Sequence, residues 1–343
     1  MKLFITGVNG FIGTHLLEAI LRDTDWTVSG LDLQDDNLAP FRPFVETGRF
    51  AFQRGDIFTD MEAIEQEVRA ADVVLPLAGI AKPAYYIKKP IWTFELDFEQ
   101  NLKIVRLCAE YDKRVVFPST SEVYGMSGDE AIHEDESQLI TGPIAKTRWI
   151  YSCSKQMMDR MIFAYGQERG LRFSIFRPFN WLGPRLDTFE DARSRTARSI
   201  TQMVYDILTR GTVTLVDGGT RRRSFTWVGD GIEGILAILR NEGGRADGQI
   251  FNIGNPANNY TIRELAGMIV EEMQGIPQFA DRAGKVVWEI VPAAEYYGKT
   301  YEDMQNRVPS IEKMTALLGW QPRTSMRDTL RMTLAWHAEH ATI

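Results

Sequence analysis

Apolar positions along the chain alternate between two periods. Residues 3–6 form a short apolar run, after which Leu16, Leu17, Ile20 and Leu21 recur at helical spacing. Further strands are predicted at residues 27–31, 50–54, 73–77, 114–117 and 172–176. Helical stretches separate them near 61–68, over 92–111 and from about Tyr151 onward. Strands alternating with helices predict parallel βαβ units wound on both faces of one sheet. Beyond residue 178 the pattern loosens. Helices near 197–208, 231–239 and 262–273 alternate with short strands at 213–216 and 250–253, and Gly, Pro and Arg punctuate the turns. The expected architecture is α/β. A doubly wound parallel sheet spans 1–178, and a smaller α/β substrate domain over 179–343 is partly interleaved with it and caps the strands' carboxyl ends, where such sheets bind ligands.

Composition narrows the classes without choosing one. Hydrophobic residues make up 44% and charged residues 25%, an ordinary globular balance, and the net charge of -7 argues against a general nucleic-acid surface. Two cysteines, Cys108 and Cys153, both in expected helices, give no disulfide framework. The four histidines form no metal motif, so no metal is expected. No apolar run reaches the length of a membrane span, and the chain opens directly on a strand. A cytoplasmic protein without a signal peptide or membrane contact is therefore expected.

Chemistry first becomes visible at the turn after the opening strand. Gly7-Val8-Asn9-Gly10-Phe11-Ile12-Gly13 joins strand to helix, and its glycines let backbone amides and a helix N-terminus approach a pyrophosphate. Asp32 ends the second strand, nineteen residues past Gly13, where an acid accepts hydrogen bonds from both ribose hydroxyls of an adenosine and repels a 2′-phosphate. Neither Leu33 nor Gln34 supplies a compensating cation, so NAD is expected rather than NADP. Asp56 and Ile57 follow the third strand, where they can meet an adenine, and Ala78-Gly79 leave room for close approach after the fourth. Tyr151 and Lys155 are four apart and share one helix face. An ammonium beside the phenol is expected to lower its pKa and make Tyr151 a general base, with a serine upstream, Ser121, bonding the same substrate hydroxyl. Taken alone, Tyr-x-x-x-Lys also describes a surface tyrosine beside a solvated lysine.

Gly7-x-x-Gly10-x-x-Gly13, Asp32, Ser121 and Tyr151-x-x-x-Lys155, in this order, resemble the extended short-chain dehydrogenase/reductase family. That resemblance implies a Rossmann-type cofactor domain and a C-terminal nucleotide-sugar domain. Tyr151 would be the base, Lys155 would hold it and the nicotinamide ribose, and Ser121 would assist. It also lines the cofactor with Asn9, Phe11, Ile12, Leu77, Ala78, Ser119 and Pro178. Two positions depart from the family pattern. The usual His-Leu-Ala-Ala reads Pro76-Leu77-Ala78-Gly79, and a common Asn in the fourth helix is Asp97. No role is carried to Pro76 or Asp97.

Longer stretches are similar to one branch of that family. They are Phe94–Glu99, Phe117–Gly125, Arg148–Ser152, Arg177–Trp181, Asp217-Gly218-Gly219, Tyr296–Lys299 and Arg307-x-Pro309-Ser310. The branch comprises the UDP-glucuronic acid decarboxylase domain of the bifunctional aminoarabinose enzyme of polymyxin resistance and its stand-alone relatives. The likeness runs from Lys2 to about Trp336. It implies oxidative decarboxylation of UDP-glucuronic acid to a UDP-4-keto-pentose, with or without re-reduction to UDP-xylose. Glu122 would lie beside the reacting carbons and Arg307 would donate the proton at C5. Tyr86, Asn180, Arg198, Arg223 and Tyr301 would hold the sugar, diphosphate or uridine. Planar guanidinium groups suit a diphosphate, although Arg221-Arg222-Arg223 also reads as a solvated basic face. The branch's Lys before the Asp-Gly-Gly turn is Thr214 here, which puts one charged nucleotide contact in doubt. A 4-epimerase, a 4,6-dehydratase, a UDP-apiose synthase and a non-catalytic NAD sensor are the competing readings. A homodimer through the helices after Trp92 and Tyr151 is expected. Met157, Met158, Met161, Ile162 and Tyr165 give the second helix more apolar surface than one core stripe needs, though burial on both sides by the smaller domain would use the same surface.

Overall fold

The computed structural model describes residues 1–296, 302 and 306–340. Its first six strands are β1 (Lys2–Thr6), β2 (Thr27–Asp32), β3 (Phe50–Arg54), β4 (Val73–Pro76), β5 (Arg114–Pro118) and β6 (Phe173–Pro178). Five more are short or late: β7 (Trp181–Leu182), β8 (Thr212–Val216), β9 (Arg222–Ser224), β10 (Thr226–Trp227) and β11 (Gln249–Ile253). The last two are β12 (Asn259–Thr261) and β13 (Val287–Val291). One seven-stranded sheet runs in the order β3-β2-β1-β4-β5-β6-β11, with every neighbouring pair parallel. This is the Rossmann-type doubly wound sheet that the alternating pattern predicts. Its strand order reverses between β1 and β4, so the crevice at their carboxyl ends is where a nucleotide belongs.

Helices cover both faces because the strands are apolar on both. Leu3 and Ile5 point to one face and Phe4 to the other, the two-residue alternation of an extended chain. Helix α1 (Phe11–Asp23) buries Leu16, Leu17 and Ile20 on the first face, together with Ile232, Ile235 and Leu239 of the helix Val228–Arg240. The short α2 (Arg42–Glu46) packs Phe44 against the same core, while on the second face α3 (Met61–Ala70) contributes Ile64 and Val68. The short helices α4 (Pro83–Lys88) and α5 (Pro90–Phe94) lead into a π-helical turn, Glu95–Gln100, and then α6 (Asn101–Glu110). The single helix expected over 92–111 is thus three joined pieces. The long α7 (Trp149–Arg169) completes this face with Met158 and Ile162.

A second core, including Val204, Ile207, Leu215, Leu265, Ile269 and Leu330, forms the smaller lobe. Between its segments the chain returns to the large sheet, with the helix Val228–Arg240 against α1 and β11 beside β6. Among the described residues no helix is long and apolar enough to cross a membrane, and no cluster of His, Cys, Asp or Glu is arranged to hold a metal ion.

Candidate active site

Two turns at the carboxyl ends of β1 and β5, on either side of β4 in the sheet, build the site. The first is the glycine turn after β1. Gly7 has φ +75, and a Cβ there would stand 2.7 Å from the Ala78 backbone nitrogen. At Gly13 a Cβ would stand 2.4 Å from the Gly7 carbonyl, so neither position accepts a side chain. Gly10 precedes α1 with no side-chain cap on the helix, leaving the first-turn amides available to an anion, while Phe11 and Ile12 pack partly buried against the sheet core. Asp32 closes this end. Its carboxylate accepts from the Asn9 amide at 2.9 Å and the Gln34 amide at 3.3 Å, and burial pushes its pKa up. Asn9 is itself held by Asn37, whose backbone amide donates to the Asn9 side-chain oxygen at 2.9 Å. Asp56 caps its own turn by accepting from Phe58 N at 2.9 Å, and Ile57 is buried in the core. A side-chain-free cradle, an uncapped helix start and a half-buried carboxylate at the end of β2 fit a dinucleotide.

One feature of this pocket escaped the sequence reading. A cation does stand beside Asp32: Arg54 is its register partner on β3, and its guanidinium pairs with Asp35. The charge comes from the adjacent strand rather than from Leu33 or Gln34.

The second turn follows β5. Thr120 caps the 3₁₀ turn Ser121–Tyr124 by accepting from the Glu122 amide at 3.2 Å. Beneath it, Ser119 Oγ donates to Asp159 at 2.9 Å, and Asp159 forms a buried ion pair with Arg177 at 2.9 Å. Arg177 also donates to the Tyr124 hydroxyl at 2.8 Å, which donates in turn to Asn252 Oδ1 at 2.7 Å. This network fastens the turn, α7, β6 and β11 together below the reacting groups. The Ser119 hydroxyl is engaged within it, and Pro178 ends β6 beside Ile253.

Tyr151 and Lys155 occupy one buried face of α7, as their spacing requires. The Tyr86 ring from α4 stacks on Tyr151 with centroids 4.3 Å apart and planes within 5°. The Lys155 ammonium lies 6.0 Å from the Tyr151 ring centre, donates to the Pro118 carbonyl at 3.1 Å and pairs with Asp97 Oδ1 at 3.2 Å. The expectation of an acidified phenol is corrected here. Burial first, then the Asp97 and Glu122 carboxylates, push the Tyr151 pKa well above its ordinary value, and the Thr120 and Tyr86 side chains offset this only in part. Burial likewise raises Tyr86. Lys155 cannot act as a lone positive charge because Asp97 faces it.

Glu122 is clamped by two guanidinium groups from distant parts of the chain. Arg148 reaches Oε2 at 2.7 Å and Arg307 reaches Oε1 at 2.7 Å, while Arg307 also donates to Ser121 Oγ at 3.1 Å. The structure therefore gathers Ser121, Glu122 and Arg307 although 185 residues separate the last two. No local signal in the sequence marks Arg148 as a partner of Glu122. It also donates to the Glu302 carbonyl at 2.9 Å.

The remaining expected substrate residues are dispersed around the lobe. Asn180 donates through its amide to the Ser224 carbonyl at 2.8 Å, and the buried Arg223 donates to the Arg222 carbonyl at 2.7 Å. Arg198 pairs with Asp187 at 2.9 Å, with its guanidinium 5.9 Å from the Phe11 ring at the dinucleotide turn. Leu77 packs against the sheet core, and the Ala78 amide donates to Thr6 Oγ1 at 3.4 Å. Tyr301 lies outside the described residues.

Known proteins share this fold. PbgP3 protein from Burkholderia pseudomallei is 47% identical, with 99% of this chain and 96% of that one covered at a TM-score of 0.88. DesIV, a dTDP-glucose 4,6-dehydratase from Streptomyces venezuelae solved with NAD and TYD bound, is 26% identical over 99% and 98% of the two chains, with a TM-score of 0.81. A UDP-glucuronic acid 4-epimerase from Bacillus cereus shares the fold at 22% identity, 99% coverage of both chains and a TM-score of 0.81. Residues 3–254 match the pattern of the NAD dependent epimerase/dehydratase family, and the chain belongs to that family.

Proposed function

We propose that the protein catalyses NAD-dependent oxidative decarboxylation of UDP-glucuronic acid to a UDP-4-keto-pentose, with UDP-xylose formed where the ketone is reduced again. The cluster of Ser121, Glu122 and Arg307 beside the Tyr151–Lys155 helix carries this reading. A 4-epimerase has no step that uses a Glu–Arg pair at this place, and a 4,6-dehydratase would have Asp where Ser121 stands.

The glycine turn with Asn9, Phe11, Ile12, Asp32, Asp56, Ile57, Leu77, Ala78, Ser119 and Pro178 would hold the dinucleotide. NAD, when bound, supplies the acceptor for the C4 hydride and, in its oxidised form, a positive charge that favours a phenolate nearby. Tyr151 takes the C4 hydroxyl proton, and Lys155 fixes its helix face against β5. The resulting ketone is β to the C6 carboxylate, so loss of CO2 leaves its electron pair as an enolate. Ser121 and the protonated Tyr151 donate to that developing oxyanion. Arg307 is held in place by Glu122. Since a guanidinium is a poor acid, it serves C5 by orienting a water that delivers the proton. Glu122, flanked by two cations, is less repulsive toward the substrate carboxylate than a lone anion would be; holding Arg307 is its stronger contribution. Tyr86, Asn180, Arg198, Arg223 and Tyr301 would bind the sugar nucleotide.

Purified protein with NAD and UDP-glucuronate tests the reading. CO2 release with a UDP-4-keto-pentose or UDP-xylose product supports it, and absence of CO2 overturns it. The assembly proposed is a homodimer through α5–α6 and α7, where Ile91, Met157 and Phe163 are exposed while Met158 and Ile162 are spent on the core. A monomer by light scattering at micromolar concentration would refute that assembly.

A further inference from the structure

Two departures from the family's pattern meet in space: Asp97, and Gly79 at the end of the run Pro76–Gly79. Asp97 sits on the π-helical turn Glu95–Gln100, a rare geometry that redirects side chains and recurs at functional sites. Its Oδ1 is 3.2 Å from the Lys155 ammonium, and its Oδ2 accepts from the Ile80 amide at 3.4 Å. Opposite stands Gly79. A Cβ there would lie 2.6 Å from Asp97 Oδ1 and 3.7 Å from Lys155 Nζ, so only glycine leaves the carboxylate its place. Both partners are buried, with side-chain exposures of 5% for Lys155 and 0% for Asp97. A charge pair so thoroughly removed from water is costly to assemble and is weak support for stability. Its position, one helical turn from the base, suggests a different purpose.

We propose that Asp97 is a positioning residue for the base: acting through Lys155 and by its own field, it sets the pH at which Tyr151 becomes able to accept a proton. The groups facing the phenol come from every neighbouring element. Tyr86 lies on α4, Asp97 on the π-helical turn, Thr120 and Glu122 on the 3₁₀ turn, and Lys155 on α7 itself. Arg148 and Arg307 both pair with Glu122 and offset its charge. Asp97 is the charge that acts most strongly on the phenol, and its own partner is Lys155. With the carboxylate present, the ammonium is matched and the phenol keeps its proton to higher pH. With a neutral amide there, the ammonium acts on the phenol undiminished and favours the phenolate at lower pH.

The inference rests on the reading of Tyr151 as the base but not on the identity of the sugar. Its test is the phenolate absorbance of the NAD-saturated protein as a function of pH, taken as the difference between each variant and the same variant carrying Tyr151→Phe. Asp97→Asn is expected to lower the pH of half-ionisation by about one unit or more, roughly a tenfold change in the ionisation constant. The acidic limb of the kcat/KM profile is expected to move the same way. Gly79→Ala, which drives a methyl group into the carboxylate's place, is expected to shift the midpoint in the same direction and provides the test should Asp97→Asn not fold. In a Lys155→Met background Asp97 loses its counter-charge and takes up a proton, so Asp97→Asn is expected to add almost nothing there. An unchanged or raised midpoint in Asp97→Asn overturns the proposal, as does the absence of phenolate in parent and variant alike up to the denaturing limit. If the midpoint moves but UDP-glucuronate releases no CO2, the substrate reading falls and this inference stands. If CO2 forms and the midpoint is fixed, only this inference falls.

Discussion

Two carboxylates flank Tyr151, and the protein treats them differently. Asp97 is fully buried and matched by one ammonium, with both partners inside the large sheet's helical layer. Glu122 retains 19% side-chain exposure and is gripped by two guanidinium groups, one preceding α7 and one from residue 307. The first pair is assembled within the dinucleotide half. The second joins that half to the C-terminal segment, so it forms only when the two parts of the chain have come together. Each adds negative charge that raises the phenol, yet their removal should be felt in different steps. On the proposed mechanism the Asp97 side would set when the base works, and the Glu122 side would act on the oxidised sugar.

The largest effect expected is at the residue they share. Tyr151→Phe should bind NAD normally and lose about 10²–10⁴ in turnover, because the stacked ring on Tyr86 survives and only the proton acceptor goes. Retention of more than about a tenth of the activity would remove Tyr151 from the role. Arg307→Met comes next. It should bind UDP-glucuronate within a few-fold of the parent and yet lose about 10²-fold or more in CO2 release, since it severs contacts to Ser121 and Glu122 together. Calorimetry and CO2 release on one preparation decide the point. Lost affinity with unchanged turnover at saturation would make Arg307 an anchor.

How much of this was legible follows from which contacts are local. Strands β1, β2, β4, β5 and β6 were readable within a residue or two because the inner strands of a parallel sheet, buried on both faces, write themselves as continuous apolar runs. Strands β9, β10 and β12 were not foreseen, since runs such as Arg222–Ser224 are polar and exist only through their partners. Val287–Val291 has the apolar letters of a core strand, but all but the last of its residues are exposed. The helix Met326–His340 was also missed; its buried Leu330 and Leu334 acquire meaning only against the second core. In the site, the glycine turn and the Tyr151–Lys155 face were legible because spacing along one element determines them. The ion pair of Lys155 with Asp97 was not, because it depends on a π-helical turn that no residue in Glu95–Gln100 announces.

A smaller effect separates the two partners of Glu122. Arg148→Met leaves the Arg307 contact in place, so Glu122 keeps one counter-ion and Ser121 keeps its donor. Removing one guanidinium from this buried cluster should cost about 1–3 kcal/mol of stability, seen as a lower thermal midpoint. Turnover should fall by roughly tenfold, less than in Arg307→Met, if position 307 serves the sugar directly. An Arg148 variant as inactive as the Arg307 variant, at equal affinity, would show instead that the clamp as a whole is the catalytic unit.

The smallest effect expected lies farthest from the chemistry, at the ribose end. Asp32 should maintain a strong preference for NAD, because a half-buried carboxylate fixed by the amides of Asn9 and Gln34 repels a phosphate beside it. Asp32→Ala removes the repulsion and the ribose contacts together, so NAD affinity should drop by roughly ten- to a hundredfold, the worth of one or two charge-assisted hydrogen bonds. Affinity for NADP should rise only slightly, because the neighbouring Arg54 is already paired with Asp35. Adding Asp35→Asn to Asp32→Ala frees that guanidinium next to the ribose position. The double variant should therefore gain NADP affinity beyond the product of the two single changes. Fluorescence titration with both dinucleotides measures the gain. Equal binding of NADP by the unmodified protein would contradict the role of Asp32. A double variant no better than Asp32→Ala would show that Arg54 stands too far from the ribose to reach a phosphate.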